Sequence, residues 1–464
     1  MPVWKIQSAE TERLSSNGAS LGHGKSQDLR AVGDYGSLNP RKESTERTPS
    51  HHMEQDGGIS GIVIRAVLVF SIYTNGRKLL DTKEGASSIR CLHGIRFFSM
   101  AWVLLSHFFT FGAQSASNAY SKASVWNDRW TFLVVNNASV TVDTFFVMSG
   151  LLVSFSTLRQ LKSKGWKINW VRFYVHRYWR LTPTYMMVLL LTLGLQQYCG
   201  EGPKWPSVSP SDKRNCEKYW WTNLLYINNF WHFEDNCMAP TWYLAVDMQF
   251  YLISPILLLA LYFHKRLGLL LCCASILVSA LIAGGLSIDE RWPAGYISML
   301  NPRWKYYYLH YYYTPWCRFG PFGIGILTGF ALLELPDLLS NKLRMTRSLA
   351  MTGWLMAAAT ALAVVFGLDT KLIADDELSV PAAAAYNAFG RNAWAISVAW
   401  VILACSSGWG GFVNTFLSWP PFVLLSRLGY MAYLVHTLPL YVFLNAQETA
   451  FNLSVINAFS LEDC

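Results

Sequence analysis

Apolar runs of about twenty residues recur along the chain, separated by shorter polar or charged stretches. A run of that length crosses a bilayer core as a helix at about 1.5 Å rise per residue. The runs fall at 92–112, 131–156, 182–198, 241–263, 267–286, 318–335, 349–368, 388–407 and 422–445. A tenth, 59–73, is short and interrupted by Arg65, and suits either a span or an interfacial segment. The pattern predicts an all-α fold, a polytopic integral membrane helical bundle of about nine to ten transmembrane helices over 59–445. Residues 1–57 are polar and aperiodic and read as a disordered N-terminal segment without the apolar core of a signal peptide. Residues 446–464 read as a short outer-side tail.

Charge orients the bundle, because Lys and Arg near helix ends mark the cytosolic side. Arg77, Lys78, Lys83 and Arg90, the basic stretch 159–180, residues 264–266, and Lys342, Arg344 and Arg347 are then cytosolic. The long loops 199–240 and 287–317 and the acidic loop with Asp369, Asp375, Asp376 and Glu377 fall outside. Cys199, Cys216 and Cys237 share one outer loop, where a disulfide is expected; Cys317 is a further partner, and spacing leaves the pairing open. Asn452 opens an outer sequon, whereas the sequon at Asn137 is expected to lie too near the membrane for use.

Composition narrows the class. The chain is 52% hydrophobic and 14% charged, against about 25% charged in soluble domains. The formal charge of +9 sits in the cytosolic loops, so it reports topology; no nucleic-acid signature accompanies it. No phosphate-binding glycine loop, serine-nucleophile elbow or zinc-ligand spacing is present, and no metal is expected.

The chemistry must come from ionisable groups inside the spans, which are costly at that depth unless they face a partner or a polar cavity. Arg96 and His107 lie eleven residues apart on one run, three turns plus about 20°, and so project from nearly one face. Asp143 lies in the outer half of the next helix, with Ser149 at mid-depth, and is the expected orienting carboxylate for His107. A purely structural Asp–His or Asp–Arg contact is the alternative. Arg177 and Arg180, at i and i+3 with His176 beside them, suit phosphate recognition at the inner surface; ordinary positive-inside charge explains them equally. Asp247, Arg318 and His436 are further cavity residues. The aromatic stretch 302–316 reads as an interfacial belt or a stacking surface for a sugar or lipid.

The motifs LHGIRFFSMAWVLLSHFF, VDTFFVMSGLL, FYVHRYWRLTP, TWYLAVDMQFYLISP, RFGPFGIGILTG and GYMAYLVHTLPL, in this order, resemble the membrane acyltransferase-3 family. FSIYTNGRKLL at 70–80 and the cysteine-bearing outer loop resemble its animal branch, the "nose resistant to fluoxetine" proteins. The resemblance implies transfer of an acyl group from cytosolic acyl-CoA, a co-substrate and not a resident cofactor, to a lipid, sugar or other hydroxyl acceptor. It implies that His107 is the essential histidine, with Arg96 preceding it, and that Arg177 and Arg180 serve the acyl donor. Asp247 stands where bacterial members usually have Glu, and His176 where many have a further Arg. The animal proteins usually begin with a signal peptide and a Cys-rich outer domain and end with one more helix. The chain is therefore expected to be an incomplete or divergent copy, in the endoplasmic reticulum or plasma membrane. A non-enzymatic carrier of lipids or hydrophobic compounds and an inactive paralogue are the rival expectations.

Overall fold

The computed structural model describes residues 68, 71–83, 88–118, 129–202, 205–231, 236–295, 301–341, 346–368 and 378–446. The segment 1–57, most of 59–73, the acidic loop 369–377 and the tail from 447, with its sequon, lie outside the described residues. The chain divides into two compact units, Met1–Ser88 and Ile89–Cys464. In the first, a helix over Ile72–Leu80 begins at Ser71, whose hydroxyl accepts from the Thr74 amide at 3.3 Å.

The second unit has no strand among its described residues. Its main helices are α1 (Cys91–Ser115), α2 (Val140–Lys164), α3 (Trp170–Leu195), α4 (Trp205–Leu224) and α5 (Trp242–Phe263). They continue with α6 (Lys265–Asp289), α7 (Phe319–Asn341), α8 (Arg347–Phe366), α9 (Val380–Ser406), α10 (Pro420–Val435) and α11 (Thr437–Asn445). Among the described residues, six segments are long and apolar enough to cross a membrane: Cys91–Ala113, Val140–Lys164, Ala239–Phe263, Lys265–Asp289, Arg347–Phe366 and Val380–Ser406. They coincide with six of the nine clear runs.

The other three runs are helical, and each departs from expectation for a local reason. The run at 182–198 starts twelve residues early, at Trp170, because Asn169 caps the helix by accepting from the Arg172 amide at 2.9 Å. The basic stretch 159–180, expected as a cytosolic loop, therefore finishes α2, turns at Gly165 (φ +72°) and opens α3. The apolar part of α7 ends at Glu334, which receives Lys162 from the end of α2 at 2.7 Å and Lys265 from the start of α6 at 2.5 Å. The run at 422–445 is broken at His436 into α10 and α11, since Pro439 has no N–H to give to the Val435 carbonyl.

Two outer stretches fold more than expected. The loop 199–240 contains α4, stapled by a Cys216–Cys237 disulfide, with Cys199 (exposed) and Cys317 (buried) as free thiols. Asn223 of α4 donates to the Tyr185 hydroxyl at 2.7 Å and the Cys237 carbonyl at 2.8 Å, docking α4 on α3. The aromatic stretch forms a short helix, Trp304–Tyr307, running into a π-helical turn, Tyr308–Tyr312. Tyr307, Tyr308, Tyr311 and Tyr313 are buried against Trp242, Phe250 and Phe322, so most of these rings build core rather than a binding surface. Asn137 of the inner sequon is buried and donates to the Val365 carbonyl at 2.9 Å.

The α2–α7 pair forms the centre of the bundle. A Cβ on Gly150 would overlap the Phe322 carbonyl, and one on Gly325 the Val147 carbonyl, so the two backbones touch where glycine permits it. Ser154 donates to the Ile326 carbonyl across the same seam at 2.9 Å. α1 packs beside α2 and against α10 and α11, which brings the motif-bearing faces together.

Candidate functional site

Two polar centres lie inside the bundle. The first joins α1 to the α10–α11 break. His107 Nδ1 meets His436 Nε2 at 2.7 Å, with 8° between the ring planes, and His436 Nδ1 meets the Tyr433 carbonyl at 2.7 Å. A carbonyl only accepts, so His436 carries its proton on Nδ1. In the neutral pair its Nε2 is then the acceptor, and His107 donates from Nδ1. That leaves the lone pair of His107 on Nε2, which makes no hydrogen bond to a described residue. Phe111 stacks on a face of His107, with ring centroids 5.4 Å apart. His436 is buried and His107 half-buried.

Asp143 does not orient His107. Its Oδ1 accepts from Arg318 Nη1 at 2.9 Å, and both side chains are fully buried. Arg318 also donates from Nε to the Tyr312 carbonyl at 3.1 Å and lies over the Tyr312 ring at 4.1 Å and the Trp242 ring at 5.3 Å. The pair ties α2 to α7 at their outer ends. Arg391, on α9, extends the cluster by donating to the Cys317 carbonyl at 3.1 Å and lying over Tyr311 at 4.8 Å. Sequence reasoning passed over Arg391, although a lone Arg inside the apolar run 388–407 is the signal that marks such a group.

The second centre is basic. Arg177 pairs with Asp247 through Nη2 and Oδ2, reaches Ser149 Oγ at 3.5 Å and lies over the Tyr251 ring at 4.2 Å. Phe173 stacks on Tyr251 with centroids 4.2 Å apart, and Tyr174 donates to the Leu252 carbonyl at 3.1 Å, which fixes the α3–α5 register. Arg180 lies in the field of Arg177 and Arg96. Among the described residues this centre gathers the guanidiniums of Arg177, Arg180 and Arg96 around Asp247 and is basic. Asp247 Oδ1 and Arg177 Nε are buried without a hydrogen-bond partner among the described residues, so the ion pair leaves polar capacity unused. His176 is exposed, whereas Arg177 is half-buried and faces the bundle. Tyr251, the stacking partner of Arg177, was not marked out by the sequence.

Along α1 the eleven residues from Arg96 to His107 span about 16 Å. Tyr243 and Tyr433 bridge the interval. Tyr243 sits in the field of Asp247, Arg177 and Arg96, and packs edge-on against Tyr433 with centroids 5.9 Å apart. Tyr433 donates to the Pro240 carbonyl at 2.6 Å, while its own carbonyl holds His436. The structure thus brings together His107 with His436, and Arg96, Ser149, Arg177, Arg180 and Asp247. It sets Asp143 and Arg318 apart from both groups.

A family model described as an acyltransferase domain matches residues 89–459. The chain is 34% identical over 405 residues to nose resistant to fluoxetine protein 6 of Caenorhabditis elegans, covering 82% of this chain and 48% of that protein. It is 25% identical over 330 residues to regulator of hypoxia-inducible factor 1 of the same organism, covering 65% of this chain and 62% of that protein. The chain therefore spans about half to two thirds of the length of these relatives. No solved structure matches.

Proposed function

Because the chain belongs to the acyltransferase-3 family, we propose that it transfers an acyl group from cytosolic acyl-CoA to a hydroxyl acceptor at or across the membrane. The observation that carries this reading is the pairing of a polarised imidazole, His107, with a basic centre whose Arg96 lies about 16 Å along the same helix. Arg177 and Arg180, with Arg96, hold the CoA phosphates and the start of the pantetheine arm. The separation supports a donor-side role for Arg96 rather than the stabilisation of charge at the thioester oxygen. The arm runs past Ser149 and Asp247 toward Tyr243, and the thioester reaches His107.

His107 Nε2 takes the proton of the acceptor hydroxyl as the oxygen attacks the thioester carbonyl. The C–S bond breaks, and the proton held on His107 passes to the CoA thiolate. Transfer through an acyl-His107 intermediate uses the same atom: Nε2 bonds the acyl carbon as the C–S bond breaks and CoA leaves as thiolate, then the acceptor oxygen displaces Nε2 and the hydroxyl proton passes to the thiolate. In both routes the positive ring is stabilised by the Nδ1 proton donated to His436.

The test is binding of CoA and acetyl-CoA to the detergent-purified protein, followed by acyl transfer. Arg180→Ala should weaken binding at least about tenfold, and His107→Ala should bind normally and transfer nothing. A well-folded wild type that binds neither compound overturns the reading and leaves a carrier that uses the same path.

A further inference from the structure

We propose that His436 is a positioning residue for His107: its Nε2 holds the His107 proton on Nδ1 and so keeps Nε2 as the reacting nitrogen. The proposal rests on the acyl-transfer reading for the reaction it serves, while its geometry can be tested without that reaction.

A histidine with two free nitrogens samples both tautomers, and only the one with its lone pair facing the substrate is reactive. A carboxylate is the usual device for selecting it, but Asp143 is occupied by Arg318 in this protein. The tautomer of His436 is itself set by backbone. α10 ends at Val435, and the last carbonyls of a helix have no following amide to bond. The Tyr433 carbonyl lies in that last turn and accepts from His436 Nδ1 at 2.7 Å. The helix break at His436 thus leaves the Tyr433 carbonyl as the acceptor that orients His436, and His436 orients His107. Phe111 packs on a face of the His107 ring at 5.4 Å between centroids while His436 holds its Nδ1 edge, which restricts its rotation as well as its tautomer. When Nε2 gains a proton or an acyl group, the positive charge spreads through two aligned hydrogen bonds to the carbonyl dipole.

The experiment is carbethoxylation of His107 by diethyl pyrocarbonate, read by peptide mass spectrometry on the full-length protein in detergent, with thermal unfolding followed in parallel. Wild type, His436→Gln and His436→Leu are compared. Gln places an acceptor oxygen near the position of Nε2 and should keep the rate within about threefold of wild type. Leu keeps bulk, removes the acceptor and should slow modification at least about tenfold. If His436→Leu does not fold, His436→Asn, polar but too short to reach, takes its place with the same expectation. Equal rates in all folded variants overturn the proposal, as does full acyl transfer from labelled acetyl-CoA by His436→Leu. A wild type that transfers nothing while the labelling contrast persists overturns the acyl-transfer reading alone.

Discussion

Asp143–Arg318 and Arg177–Asp247 each join a carboxylate to a guanidinium inside the bundle, yet their surroundings differ. The first is at 0% exposure on both sides, wrapped by Tyr312 and Trp242, at the end of a glycine-packed seam. The second is 19% and 9% exposed, with two further arginines nearby; in both pairs each partner keeps one buried polar atom without a hydrogen bond among the described residues. A fully enclosed pair has one arrangement available and serves as a lock. A partly exposed pair can release its cation to an anionic ligand and re-form afterwards. The same pairing of side chains is closed off from solvent in one place and partly open in the other, and enclosure is the difference between them.

The sharpest way to break the comparison is to remove one partner of the enclosed pair. Arg318→Leu leaves Asp143 as an uncompensated buried charge and should cost about 3–5 kcal/mol of stability, read as a large fall in detergent melting temperature. Restoring neutrality with Asp143→Leu in the same chain should recover most of that loss. Failure to recover would mean that the pair does more than lock helices. Asp247→Asn should cost less, about 1–2 kcal/mol, because Arg177 retains Ser149, the Tyr251 ring and partial solvation. The same variant should tighten CoA binding, since the basic centre loses the carboxylate that pairs with Arg177; weaker binding would show that Asp247 contacts the ligand. Ser149→Ala, which removes a 3.5 Å contact, should change stability by less than about 0.5 kcal/mol and refine the assignment of Arg177 rather than alter it.

Much of the site was legible before any coordinates. The Arg96–His107 face, the intramembrane Asp143 and Asp247 and the Arg177–Arg180 pair all announce themselves by the cost of burying charge in lipid. Partner choice was not legible. Asp143, His107 and Arg318 all lie in outer halves of their helices, and depth alone cannot decide which two meet. The α2–α7 glycine contacts decide it, by drawing Arg318 onto Asp143 and leaving His107 to His436. The start of α3 was within reach, since Asn169 before an aromatic run is a capping signal; charge density at 159–180 hid it by suggesting a loop.

The sequence by itself determined the helical membrane architecture, because an apolar backbone segment in lipid has to satisfy its hydrogen bonds within itself. It also determined the family and the few ionisable groups available for chemistry. Only the tertiary structure decided which of those groups are locked, which stay open and which nitrogen of His107 is free. Those outcomes depend on contacts between residues more than a hundred positions apart, and no local period or propensity encodes them.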